Sequence, residues 1–157
     1  MSKLIIVCGL PGTGKTTHAR ELEAQQAVRL CPDEWMTTLD VDLYDQDARG
    51  QVENLQWELA QRLLTLGVDV VIEWGAWLRS ERDVLRHRAH ELGATVELHY
   101  LTAPIDVLFE RVQHRNREDP PISREDLTEW SRIFQSPTAE EMDLFDVSIT
   151  IDTTRPC

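Results

Sequence analysis

Eight consecutive residues near the amino end, Gly9-Leu10-Pro11-Gly12-Thr13-Gly14-Lys15-Thr16, match GxxxxGK[ST] at every fixed position. Before them Leu4-Ile5-Ile6-Val7-Cys8 is an unbroken apolar run, the mark of a strand buried on both faces of a parallel sheet. After them, from Lys15 to about Gln26, the residues are good helix formers. Strand, glycine turn and helix in this order let backbone N–H groups converge on one point, where the positive end of the helix dipole also lies. Such a turn takes phosphate. Lys15 supplies a point charge to the β and γ phosphates, and the Thr16 hydroxyl is a magnesium ligand. A plain connecting turn needs neither residue, and the GxGxxG of a dinucleotide fold is absent here. The segment from Gly9 through Thr17 is therefore expected to bind ATP with Mg2+.

The remaining chain reads as further strands and helices in alternation. Val28 to Cys31 is a short second strand halted by Pro32, and residues 36 to 46, rich in aspartate, are expected to be an exposed acidic loop. Val52, Leu55, Leu59, Leu63 and Leu66 recur at helical steps before Gly67. Val68 to Ile72 is the third strand, ending at Glu73, and Ser80 with Asp83 resembles a capping box opening a helix to Leu92. Thr95 to Leu101 is the fourth strand. Pro104 starts a helix to about Arg115, and a charged loop over Asn116 to Ile122 follows. Ser123 and Asp126 cap a fifth helix, and Val147 to Ile151 is the fifth strand. Strand, helix, strand at the outset predicts an α/β fold.

At 157 residues one domain is expected, spanning 1–157, with a lid at about 115–123. Net charge is −12, which repels nucleic acid and requires a local cluster of positive groups wherever an anion is held. Cys8, Cys31 and Cys157 show no zinc spacing and are odd in number, which points to a reducing, cytoplasmic setting, with Cys8 and Cys31 as small core residues. No apolar run is long enough to span a membrane. The five histidines show no metal-ligand pattern.

Beyond the phosphate loop, several segments gain weight from their order: Cys31-Pro32-Asp33-Glu34, Val70-Val71-Ile72-Glu73-Trp74-Gly75 with Arg79 and Arg82, and Glu110-Arg111 through Arg115-Asn116-Arg117. Together they resemble the small P-loop kinase-like family related to chloramphenicol phosphotransferase, the zeta toxins and the kinase domain of polynucleotide kinase. The resemblance covers nearly the whole chain and implies a three-layer fold, with a five-stranded parallel sheet ordered 2-3-1-4-5 and helices on both faces. It also implies that Asp33 orients and deprotonates an acceptor hydroxyl. An alcohol attacks phosphorus better when a carboxylate takes its proton.

Glu73 would hold magnesium through water or order the acceptor, although aspartate is commoner there in the resembling proteins. Trp35, Trp74 and Trp77 are candidates for an aromatic wall against the acceptor. Arg79 and Arg82 are candidates to face a phosphate. Arg111, Arg115 and Arg117 form the lid set, with Arg115 and Arg117 as the pair acting on the transferring phosphoryl group. The leading expectation is a kinase moving the γ-phosphoryl group of ATP to a hydroxylated small molecule, as a monomer or homodimer. The alternatives are a kinase for 5′-hydroxyl nucleic-acid ends, which the acidic charge disfavours, and a regulatory protein that binds and hydrolyses ATP without transfer.

Overall fold

The centre of the molecule is β1 (Lys3–Cys8), whose residues Leu4 to Cys8 are all 2% exposed or less. Residues 1–154 are described in a computed structural model; Cys157 lies outside them. Pairing to β1 on one side is β3 (Val70–Gly75) and on the other β4 (Thr95–Thr102). The short β2 (Val28–Leu30) flanks β3, and β5 (Val147–Asp152) flanks β4. All four pairings are parallel, giving the order β2-β3-β1-β4-β5 expected from the sequence. Parallel neighbours require crossovers, which the helices supply.

Alternation along β1 divides the core. Leu4, Ile6 and Cys8 face a cluster with Ala60 and Leu64 of α3 (Gln46–Thr65) and Leu85 and Ala89 of α4 (Arg79–Glu91). Ile5 and Val7 face Ala19 of α1 (Lys15–Glu23) on the opposite side of the sheet. Helices therefore cover both faces, and an unbroken apolar strand is the consequence. A third cluster joins Leu108 and Val112 of α5 (Ile105–Arg115) to Leu127 of α6 (Arg124–Ile133). Cys8 and Cys31 are buried free thiols, as small core residues should be. No helix among the described residues is long and apolar enough to cross a membrane.

Four local expectations are corrected. Pro32 does not merely halt β2: it occupies the first turn of α2 (Pro32–Thr38), where its missing N–H and fixed φ are no handicap. The expected acidic loop thus begins as helix and ends where α3 starts at Gln46, capped by the Asp45 side chain. On α3 the buried stripe is Val52, Gln56, Ala60 and Leu64, whereas Leu55 and Leu66 are 59% and 78% exposed. The buried Gln56 explains the difference, because a polar side chain that the hydrophobic pattern excludes is held in the stripe by its oxygen accepting from Trp74 Nε1 at 2.9 Å, while its Nε2 has no partner among the described residues. Finally, α4 starts after Leu78 with no side-chain cap, while the Ser123–Asp126 capping box of α6 forms as read. A four-residue helix, α7 (Ala139–Met142), precedes β5.

Candidate active site

The loop between β1 and α1 sits at the carboxyl edge of the sheet, where open α/β folds bind ligands. Two of its glycines are required by close approach. A Cβ on Gly9 would lie 2.6 Å from the Leu101 carbonyl oxygen, and one on Gly12, at φ +87°, would lie 2.9 Å from that of Leu108. Arg111 braces the loop from α5: Nη1 donates to the Gly12 carbonyl at 3.1 Å and to Thr153 Oγ1 at 2.9 Å, and that hydroxyl donates to the Thr13 carbonyl at 2.7 Å. Gly9, Leu10 and Thr13 shape the loop. Pro11, Gly12, Gly14, Lys15, Thr16 and Thr17 line the cleft it opens into, a space of about 810 Å³.

Lys15 Nζ donates to the carbonyls of Gly9 and Leu10, each at 2.9 Å. Burial pulls its pKa down to about 8, with Arg115 adding to the fall while Glu73 and Asp33 oppose it. The backbone amides of Gly14, Lys15, Thr16 and Thr17 meet no backbone acceptor among the described residues, as the first turn of a helix leaves them. Free amides, an ammonium and a glycine cradle too tight for any Cβ fit a polyphosphate.

Across the cleft stands Asp33, in the first turn of α2. Arg49 of α3 reaches Asp33 Oδ1 at 2.8 Å, and Arg117, from the loop after α5, donates to Oδ2 at 2.9 Å. Burial pushes this carboxyl upward, but the two guanidinium groups outweigh it and hold the pKa below the usual aspartate value. Asp33 is an ionised carboxylate on the same cleft as Lys15.

Glu73 lies within β3 instead of ending it. Only 6% exposed, it binds Arg29 Nη1 through Oε2 at 3.0 Å, while Oε1 is buried without a partner. An unpaired buried carboxylate oxygen lining a cleft fits a donor such as metal-bound water or a substrate hydroxyl. Trp74 and Trp77 line the cleft as well, and Trp130 of α6 joins them, its ring centroid 5.9 Å from that of Trp77. Arg115 and Arg117 line the cleft too. Arg115 pairs with Glu118 at 2.7 Å.

Three expected substrate-facing residues sit elsewhere. Trp35 packs against the core cluster and lies outside the cleft lining. Arg79 turns outward to Glu140 at 3.3 Å and Asp83 at 3.7 Å. Arg82 is wholly enclosed: Nε donates to Glu141 Oε2 at 2.6 Å, Nη2 to Glu141 Oε1 at 2.9 Å and to the Gln135 carbonyl at 2.7 Å, and Nη1 to the Ala76 carbonyl at 2.8 Å. With these donors engaged it ties α4 to α7 and cannot meet a phosphate. Arg111, one of the lid set, instead serves as the brace described above.

Sequence reasoning missed Arg49, Glu53 and Trp130. Arg49 and Glu53 are one helical turn apart on α3, a spacing that was readable had the helix been started at Gln46. Burial raises Glu53 to about 7, with Arg49 opposing and Glu81 and Asp33 adding to the rise.

A parallel sheet in this order with a glycine-rich phosphate loop after its central strand defines a P-loop kinase-like domain. The chain belongs to the family described as an AAA domain (AAA_33), whose model matches residues 4–137. It is similar to the "Probable gluconokinase" of Schizosaccharomyces pombe, 26% identical over 156 residues that take in 93% of this chain and 79% of that protein. Among solved structures, a Chloroflexus aurantiacus protein put forward as a kinase superposes with a TM-score of 0.75 at 23% identity, covering 99% of this chain and 90% of the other. A gluconokinase from Sinorhizobium meliloti 1021 gives 0.67 at 23% identity, covering 98% and 84%.

Proposed function

We propose that this protein is a cytoplasmic kinase that transfers the γ-phosphoryl group of ATP to a hydroxyl of a small molecule. The observation that carries the reading is the ionised Asp33, held by Arg49 and Arg117 on the cleft that Lys15 also lines. A protein that only hydrolysed ATP has no need of tryptophans lining the same cleft as that carboxylate. Net charge of −12 argues against a polymeric nucleic-acid acceptor. The gluconokinase likenesses favour a hydroxylated small molecule.

ATP enters as substrate, its phosphates against the amides from Gly14 to Thr17 and the Lys15 ammonium. Thr16 and Glu73 are the residues that would hold magnesium, which would neutralise charge developing on the phosphoryl oxygens. Asp33 accepts the acceptor's proton as the hydroxyl oxygen bonds to phosphorus, while the bond from the γ-phosphorus to the bridging oxygen breaks and ADP leaves. Arg115 and Arg117 spread positive charge over the transferring group.

The test is ADP release from Mg-ATP across a panel of hydroxylated metabolites, with Lys15→Ala as the background and calorimetry for ATP binding. Acceptor-dependent release that vanishes in Lys15→Ala is the expected result. ATP binding with no acceptor dependence across the panel would return the protein to the class of ATP-hydrolysing switches.

A further inference from the structure

The acceptor end of the cleft has its cations spent and its acids free. Arg49 is committed to Asp33, Arg115 and Arg117, paired here with Glu118 and Asp33, are the two assigned above to the transferring phosphoryl group, and Arg29 is enclosed between Glu73 and Glu34. Glu53 of α3 and Glu81 of α4, by contrast, line the cleft with no ion pair or side-chain hydrogen bond among the described residues. The two stand close enough that each Glu81 charge raises the proton affinity of Glu53. Trp74 and Trp77 line the same cleft, Trp74 beside Gln56 of α3 and Trp77 beside Trp130 of α6. On the floor the buried Glu73 Oε1 lacks a donor. A sugar acid would bring a carboxylate to these tryptophans and find no uncommitted arginine to receive it, a cost of unpaired charge that the site does not relieve. A cation finds two acidic side chains without ion-pair partners, of which it would hold Glu53 in the charged form, and aromatic faces, the combination that receives ammonium groups.

Resting on the kinase reading above, we propose that the acceptor is a hydroxylated amine, its ammonium seated between Glu53 and Glu81 against the tryptophan wall and its hydroxyl at Asp33. The amine is not the group phosphorylated. As an ammonium it has no lone pair to attack phosphorus, so the seat fixes which end of the molecule presents its hydroxyl to Asp33. The wall selects by charge and the carboxylate by proton acceptance. Substrates are thus distinguished from the sugar acids named by the similar gluconokinases.

The test pairs each aminosugar, aminocyclitol and simple amino alcohol with its N-acetyl derivative, its deaminated parent and, for the sugars, the corresponding acid. ADP release is measured with the full chain and Mg-ATP, and tryptophan fluorescence is titrated with the same amines in the presence of Mg-ADP. The amines should exceed their N-acetyl and deaminated partners by about tenfold or more in kcat/KM. Glu53→Gln should raise KM for the amine about tenfold while changing kcat far less, because the charge acts on binding and not on the transferring group. Glu81→Gln, at an exposed position in the first turn of α4, should do the same more weakly. Preferred turnover of the acids or the neutral parents overturns the proposal and leaves the kinase reading intact. Fluorescence quenching by amines that Glu53→Gln abolishes, with no ADP release from any compound, supports the amine seat and sinks the kinase reading. Neither quenching nor turnover by any amine overturns the proposal.

Discussion

The two ends of the cleft are built by different means. The donor end is nearly all backbone: amides of consecutive residues, carbonyls that receive Lys15, and glycines pressed against the main chain of Leu101 and Leu108. The acceptor end is all side chain, drawn from α2, α3, β3, α4, α6 and the loop after α5. Backbone geometry has one answer for a given local sequence, so the donor end does the same thing in any chain that carries the loop. Side chains from six segments are positioned by the fold as a whole. A small change in packing redirects them, which is how one fold serves many acceptors.

The sharpest break of this contrast is Asp33→Asn. Loss of the proton acceptor should lower the rate of transfer about 10²- to 10⁴-fold, while ATP affinity stays within about twofold. Single-turnover kinetics beside calorimetric ATP binding decides it. A parallel loss of ATP affinity would mean that the two ends are one unit.

Arg82→Ala strikes the scaffold of the acceptor end. It leaves the buried Glu141 without its partner, and urea unfolding should show a loss of about 3–5 kcal/mol. A double replacement, Arg82→Met with Glu141→Leu, should recover most of that, since a buried pair loses far more by being halved than by being removed. Destabilisation of the double variant equal to that of the single one would show that the carbonyl bonds to Ala76 and Gln135 carry the tie.

Gly12→Ala is the matching probe of the donor end. Left-handed φ and the 2.9 Å approach to Leu108 predict a cost of about 1–3 kcal/mol, read by thermal unfolding, together with weakened ATP binding. Because the damage is local to the loop, binding of an acceptor alone, followed by tryptophan fluorescence, should be unchanged.

The same contrast governs what the sequence made legible. The phosphate loop, the strand before it and the helix after it are contiguous, so eight residues and their flanks sufficed. The sheet order came from the family resemblance, and the alternation of periodic segments agreed with it. Arg49 stays hidden because the apolar stripe of α3 begins only at Val52 and the turn before it carries no hydrophobic signal, and Pro32 because a proline after a strand reads as an end as readily as the first turn of a helix. Arg82 shows the reverse error. An arginine near a functional segment of an acidic chain invited an anion, yet its partner is Glu141, 59 residues on, a pairing that only the three-dimensional packing brings about. Long-range ion pairs have no sequence period, and so the acceptor end could be named in part but not assembled.

The smallest effect, and the one that separates the two ends most cleanly, is the titration of Lys15. Its folded pKa of about 8 lies below the ordinary 10.5, chiefly because burial disfavours the ammonium. Between those values the unfolded chain holds a proton that the folded chain has released, so this group makes stability rise with pH over roughly 8 to 10.5. A bound triphosphate reverses the preference by stabilising the ammonium, so binding takes up a proton once the pH passes about 8. ATP affinity should therefore be flat from pH 6 to 7.5 and fall by roughly fivefold to tenfold between pH 8 and 9. The buried thiols of Cys8 and Cys31, held near 12, pull stability the other way above about pH 9. For that reason the stability slope is read as the difference between the wild type and Lys15→Met. Opposite signs for the two slopes, both absent in Lys15→Met, would assign them to one ammonium at the donor end. A fall in ATP affinity that persists in Lys15→Met would move its origin across the cleft to the acceptor side chains.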